Sequence, residues 1–231
     1  MERDNKVYTY IENISNVSGF ETEVLELWKK TWNENGWSPI ILGRKDAEKH
    51  PRFKEFHDRV SKIKTPYNQP EYNLLCWLRW LAFAQAGGGF ISDYDVMNIK
   101  LKPHDMLSVE NVENVRICHT YGVPCFVQAS AKGAEEILDA IMIHTPDYTM
   151  DGGNWNDMHF FIQSKFEKCL NNKQAWLENG SVWYEKDDAI MHSWEELPIV
   201  HFSNASCDKA GFKNKITAIQ QYLATLKTQT L

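Results

Sequence analysis

Leu74 to Ile91 is the longest apolar stretch of the chain, and three consecutive glycines, Gly87, Gly88 and Gly89, cut it in two. In its first part Leu74, Leu75, Trp77, Leu78, Leu81 and Phe83 cover more than one face of a helix, so that helix has to be buried on most sides. Pro70 is well placed to open it, because the N–H that proline lacks has no partner in a first turn. The helix is expected to run to about Ala86. The glycines then stop it and permit backbone angles and close approaches that a Cβ would forbid. Phe90 and Ile91 begin a strand that ends at Asp93-Tyr94-Asp95. Arg79, Gln85 and the glycines inside the stretch exclude a membrane span.

The elements before this stretch give the fold class. Val7 to Glu12 reads as a strand, and Glu21 to Asn33 as a helix with Val24, Leu25, Leu27, Trp28 and Trp32 at helical spacing. Ser38 to Leu42 reads as a second strand. Strand, helix, strand is the opening of an α/β fold with a parallel sheet. Arg44 to Gln69 is polar and reads as short helices and loops. Strands are expected at Val115 to Cys118 and Pro124 to Gln128, and a helix from Ala131 to Ile143. A further helix is expected from Asp157 to Leu170, with short late strands at Trp183 to Tyr184 and Ile199 to Phe202. Phe212, Ile216, Ile219, Leu223 and Leu226 form the stripe of a last helix. With no internal repeat and no linker, residues 1–231 are expected to form a single domain.

Composition narrows the function. A net charge of −6 argues against nucleic acid as the main partner, since a phosphate-binding footprint is normally basic. Nine Trp exceed what a core needs and make an aromatic-lined cleft plausible, although a core takes most of them. The five cysteines are scattered, without CxxC or zinc spacing, and read as free thiols in a reducing compartment. The N-terminus lacks the apolar core of a signal peptide. A cytoplasmic enzyme without a membrane anchor is the expectation.

Chemistry concentrates at Asp93 and Asp95. On a regular strand, side chains i and i+2 point the same way, about 6 to 7 Å apart. Two such carboxylates repel each other unless a cation lies near them. Mg²⁺ and Mn²⁺ prefer oxygen ligands of this kind, often with substrate phosphates completing the shell. In open α/β sheets, ligands bind beyond the carboxyl ends of the strands. A solvated turn carrying two acids is the alternative for the Asp-x-Asp by itself.

The run from Arg79 through Gly88-Gly89-Phe90-Ile91-Ser92-Asp93-Tyr94-Asp95 resembles the GT-A fold glycosyltransferases with a DXD sugar-binding region. The yeast-type initiating mannosyltransferases and the clostridial glucosylating toxins are of this kind. The resemblance covers roughly Asn73 to Pro103. It departs by one extra residue between Arg79 and the last Gly-Gly pair, and by Cys76 where the toxin-like pattern has an Asp.

The resemblance implies a GT-A-like domain with a mixed, mostly parallel sheet flanked by helices. Residues 1–100 would be the nucleotide-sugar-binding half and residues 101–231 the acceptor-binding half. Asp95 would bind Mn²⁺ or Mg²⁺ directly, while Asp93 would hold ribose or sugar and the metal's waters. Arg79 would meet the donor sugar or phosphate. A late His would complete the metal shell: His201, which ends the apolar run Leu197 to Val200, is preferred over His192. In the middle region Asn154, Trp155 and Asp157 would meet donor and acceptor sugars. Asp157 or Asp151 would be the base if the reaction inverts the anomeric centre, and N-capping of a helix is an equal reading of Asp157. Tyr10 would stack on the base with Thr9 near the ribose, a buried Tyr with a bonded hydroxyl being the alternative.

The implied activity is transfer of a sugar, with retention of the anomer, from a UDP- or GDP-sugar to a glycan, a glycoprotein or a small acceptor. A glycoside or phosphate hydrolase using Asp93 with Asp157, and a non-catalytic carbohydrate- or nucleotide-binding module, are the competing classes.

Overall fold

The structure, a computed structural model, describes residues 5–12, 22–63, 69–106, 108–109, 115–118, 123–148, 155–168, 175–178, 181–184, 198–209 and 211–229. In chain order the elements begin β1 (Lys6–Tyr10), α1 (Thr22–Glu34), β2 (Ser38–Leu42), α2 (Arg44–Ala47), α3 (Phe53–Val60), α4 (Pro70–Gln85), β3 (Gly89–Ser92) and β4 (Val96–Asn98). They continue with β5 (Arg116–Ile117), β6 (Phe126–Ala129), α5 (Ala131–Tyr148), α6 (Asp157–Gln163), β7 (Glu167–Lys168), β8 (Ala175–Glu178) and β9 (Ser181–Tyr184). Last come β10 (Ile199–His201), α7 (Asn204–Lys209) and α8 (Lys215–Gln229).

The chain is a mixed α/β protein. Its main sheet has the order β2-β1-β3-β6-β5-β7. β1 is parallel to both β2 and β3, β6 is antiparallel to β3 and β5, and β7 is parallel to β5. Successive residues of a strand face opposite sides, and the core divides accordingly. Val7, Phe90, Phe126 and Cys118 pack into one apolar layer with α1 and α8. Their neighbours Tyr8, Ile91, Val127 and Ile117 pack into the other, with α2 to α6.

α4 has apolar residues all round because it lies between the sheet and other helices: Trp77, Leu78 and Trp80 to Phe83 are all buried. Its exit has no room for a side chain. At Gly88, with φ of +76°, an added Cβ would lie 2.6 Å from the carbonyl oxygens of Ala129 and Ser130. Only glycine lets the chain turn this tightly from helix into strand.

Two of the differences from expectation bear on the site. The helix begun at Asp157 stops at Gln163, not Leu170, and Glu167–Lys168 joins the sheet as an edge strand. The chain after β3 forms a further strand, β4, antiparallel to β10. Among the described residues no strand lies beside the opposite edge of β4, so its polar groups need other partners. α1 supplies them. Trp32 Nε1 donates to the Val96 carbonyl (3.0 Å), Asn35 Nδ2 donates to the Asn98 carbonyl (3.2 Å), and Thr31 Oγ1 accepts from the Asn98 N–H (3.3 Å). Two more indoles continue the row, Trp28 donating to Ser92 Oγ (2.8 Å) and Trp37 to the Leu101 carbonyl (2.8 Å).

The tryptophans whose side chains are described therefore serve the core, and Trp32 also bonds the edge of β4. All six whose side chains are described are buried, Trp155 among them. Cys76, Cys118, Cys125 and Cys207 are free thiols. No helix among the described residues is long and apolar enough to cross a membrane.

Candidate functional site

The strand order locates the site. From β1 the chain moves outward to β2 through α1 on one face, then returns past β1 to β3 through helices on the other face. The order reverses between β1 and β3, and in open α/β sheets the crevice beyond the carboxyl ends of such a strand pair receives the ligand. Asp93 follows the last residue of β3, and Asp95 lies two residues further on.

The two carboxylates do not lie on a regular strand, contrary to expectation. β3 ends at Ser92, and a turn follows in which the Val96 N–H donates to the Asp93 carbonyl (3.1 Å). The turn is tied on both flanks: the Asp93 N–H donates to the Cys125 carbonyl, and the Phe202 N–H to the Asp95 carbonyl (2.9 Å each). The two side chains consequently leave for different layers. Asp93 Oδ1 accepts from Arg79 Nη1 of α4. Asp95 Oδ2 accepts from Lys215 Nζ at the start of α8 (2.5 Å).

Their remaining oxygens converge on His201. Its Nε2 lies 3.8 Å from Asp93 Oδ2 and 3.4 Å from Asp95 Oδ1. The register of β10 on β4, which sets His201 opposite Val96, brings the imidazole to the turn. One ligand atom from each of Asp93, Asp95 and His201 can be chosen so that all lie within 4.8 Å of one another. Two carboxylate oxygens and one imidazole nitrogen form a donor set suited to Mn²⁺ or Mg²⁺. The residues fit a divalent cation in a specific sense: each carboxylate has one oxygen occupied by a fixed cation and the other facing the shared centre.

Charge in the site is balanced. Asp157, the first residue of α6, meets Arg79 Nη2 at 2.5 Å and accepts from Trp80 Nε1 at 3.2 Å. Three carboxylates thus face Arg79, Lys215 and His201. Burial works to raise the pKa of Asp95, but Lys215 and His201 outweigh it and hold that carboxyl well below its usual range. Burial works to lower His201, but the charge of Asp95 raises it well above the ordinary histidine value. At Asp157 burial dominates and pushes the carboxyl up, against the pull of Arg79.

The other expected site residues lie as follows. The cap of α6 is Asn156, whose Oδ1 accepts from the His159 N–H (3.0 Å), and Asp157 bonds inward instead. Trp155 is 4% exposed and packs in the core, leaving no open face. Thr9 is buried, and the Tyr10 hydroxyl, at the carboxyl end of β1, donates to Glu12. Asn154, Asp151 and His192 lie outside the described residues. Lys215 escaped the sequence argument because 120 residues separate it from Asp95. A lysine opening an apolar helix was the available signal, since a cation there opposes the helix dipole and calls for an acid nearby.

A family model described as a domain of unknown function (DUF8765) matches residues 1–112, just under half of the chain. That span contains β1 to β4, Arg79 and the Asp93–Asp95 turn, but not Asp157, His201 or Lys215. No curated protein matches the chain.

Proposed function

We propose that this protein is a GT-A type glycosyltransferase that moves a sugar from a nucleoside-diphosphate sugar to a glycan, a protein or a small acceptor. One observation carries the reading: Asp93 Oδ2, Asp95 Oδ1 and His201 Nε2 converge just beyond the carboxyl end of β3, beside β1, where the strand order reverses. These three groups would hold Mn²⁺ or Mg²⁺. A divalent cation held there would neutralise charge on a departing nucleoside diphosphate, where glycosyl transfer needs help.

The chain's own residues do the rest. Arg79 and Lys215 orient the two acids and supply fixed positive charge around the crevice. His201 must be neutral to offer Nε2 to a cation, so loading releases its proton. Asp157 is buried and bonded to Arg79 and Trp80, which removes it from the position of a base working on an acceptor hydroxyl. This favours retention of the anomer, which needs no dedicated base.

The test is thermal unfolding of the full chain with UDP and GDP, with and without Mn²⁺. A ligand at a hundredfold excess over its Kd contributes about 2.7 kcal/mol to the stability of the native state. The expected result is a rise in Tm with one nucleotide that requires Mn²⁺ and is lost in Asp95→Asn, followed by slow donor hydrolysis once the sugar is found. Equal shifts in wild type and Asp95→Asn, or no Mn²⁺-dependent shift at all, would overturn the reading.

A further inference from the structure

Arg79 faces two carboxylates through different nitrogens of one rigid plane. Nη1 donates to Asp93 Oδ1, and Nη2 pairs with Asp157 Oδ2 at 2.5 Å. The guanidinium lies over the Trp80 ring, 4.6 Å from its centroid, and Trp80 Nε1 donates to the same Asp157 oxygen. Four groups therefore hold Arg79: Asp93, Asp157 on α6, the Trp80 ring on α4, and the Pro124 carbonyl, which accepts from Nη2 at 3.4 Å. Asp157 itself is 5% exposed.

We propose that Asp157 is a positioning residue. Through Arg79 it fixes the rotation of the Asp93 carboxylate, so that Oδ1 is occupied and Oδ2 faces His201 and the cation centre. The proposal rests on the cation site of the preceding section. Its physical basis is the geometry of guanidinium: the planar fork holds two carboxylates at a set angle, which an ammonium cannot do. Without Asp157 the Nη2 end of the fork is left with a long hydrogen bond to the Pro124 carbonyl (3.4 Å) in place of an ion pair, and Asp93 can rotate its second oxygen away. Partners one bond removed from a metal ligand typically contribute about 10- to 100-fold to metal affinity.

The probe is Mn²⁺ alone, titrated by water-proton relaxation into the full-length wild type, Asp157→Asn, Arg79→Lys and the double variant. Asn keeps an acceptor for Trp80 and a similar volume, and loses only the charge held by Arg79. The expected result is about tenfold weaker Mn²⁺ binding in Asp157→Asn. A similar loss is expected in Arg79→Lys, and no further loss in the double variant, because both substitutions break one chain of contacts. Losses that multiply in the double variant, or unchanged affinity in a folded Asp157→Asn, overturn the proposal.

A second measurement needs no metal and no Asp157 variant to be especially stable. The Arg79 Nη–H signals in ¹⁵N NMR should be resolved and slowly exchanging in wild type, and should broaden or merge in Asp157→Asn and in the more conservative Asp157→Glu. Arg79 signals indifferent to residue 157 overturn the positioning role. Wild type that binds no Mn²⁺ while its Arg79 signals respond to residue 157 overturns the cation reading of the site instead.

Discussion

Replacing Trp32 by Phe removes one hydrogen bond and part of one ring from the wall that supports the Asp93–Asp95 turn. Trp32 is fully buried, and its Nε1–H is the donor that α1 offers to the Val96 carbonyl on the edge of β4 away from β10. With Phe, that carbonyl is left in an apolar layer without this donor, a cost of about 1–3 kcal/mol. The ring atoms lost leave a small cavity that costs roughly 1–2 kcal/mol more. Trp28→Phe is the internal control, because Trp28 is equally buried and loses a similar ring volume. Its partner is different, however: Ser92 Oγ also donates to the Asp93 carbonyl at 3.2 Å, so the hydroxyl keeps a bond when the indole is gone. Trp32→Phe should therefore be the more destabilising by about 1 kcal/mol or more. In a chain of this size that separates the two Tm values by about 2–4 °C. The assay is equilibrium unfolding in urea, comparing midpoints at a common m value. Equal midpoints, or a lower one for Trp28→Phe, would refute the argument that α1 side chains stand in for a missing strand.

Two further outcomes follow from the site. Lys215→Met leaves Asp95 buried with His201 as its remaining partner there, and breaking a buried pair on one side costs about 3–5 kcal/mol. Saturating Mn²⁺ should restore part of the lost Tm, since a cation again faces Asp95, and no restoration would count against the cation site. For pH, the sign follows from the direction of each shift. His201 is raised above 6.5, so its pairing with Asp95 stabilises fully below pH 6.5 and is lost as pH rises through the folded value. Asp95 is lowered below 3.8, so its contribution is present above pH 3.8 and fades as pH falls towards the folded value. Mn²⁺ affinity should rise over the range in which His201 loses its proton, with about one proton released per ion bound. A Mn²⁺ affinity that is flat from pH 6 to 9 would remove His201 from the ligand set.

Much of this could be read along the chain because local rules carry it. The burial of α4 on all sides, its start at Pro70 and its stop at the glycines follow from helical periodicity, a missing N–H and the absence of Cβ atoms. The parallel β1–α1–β2 opening followed from an apolar run, a helical stripe and a second apolar run. Elements that depend on a distant partner were not legible. β4 has three residues and exists because β10 pairs with it from about a hundred residues away and α1 completes its other edge. α6 stops early because the chain after Ser164 is drawn to the sheet edge beside β5.

The same division runs through the site. That Asp93 and Asp95 stand at the end of a buried strand, with Arg79 on the helix before it, follows from residue spacing alone, because strand, glycine turn and helix are contiguous. That the acids diverge to opposite layers, meet again at His201, and are each clamped on one oxygen by Arg79 and Lys215 is a property of the folded chain alone. Those contacts join α4, β3, β10 and α8, and no local periodicity encodes which oxygen of a carboxylate a residue 120 positions away will occupy. Nor could spacing tell whether Asp157 faces solvent or Arg79. Only the packing of α6 against α4 decided it, by enclosing a carboxylate where a guanidinium and an indole N–H were already directed.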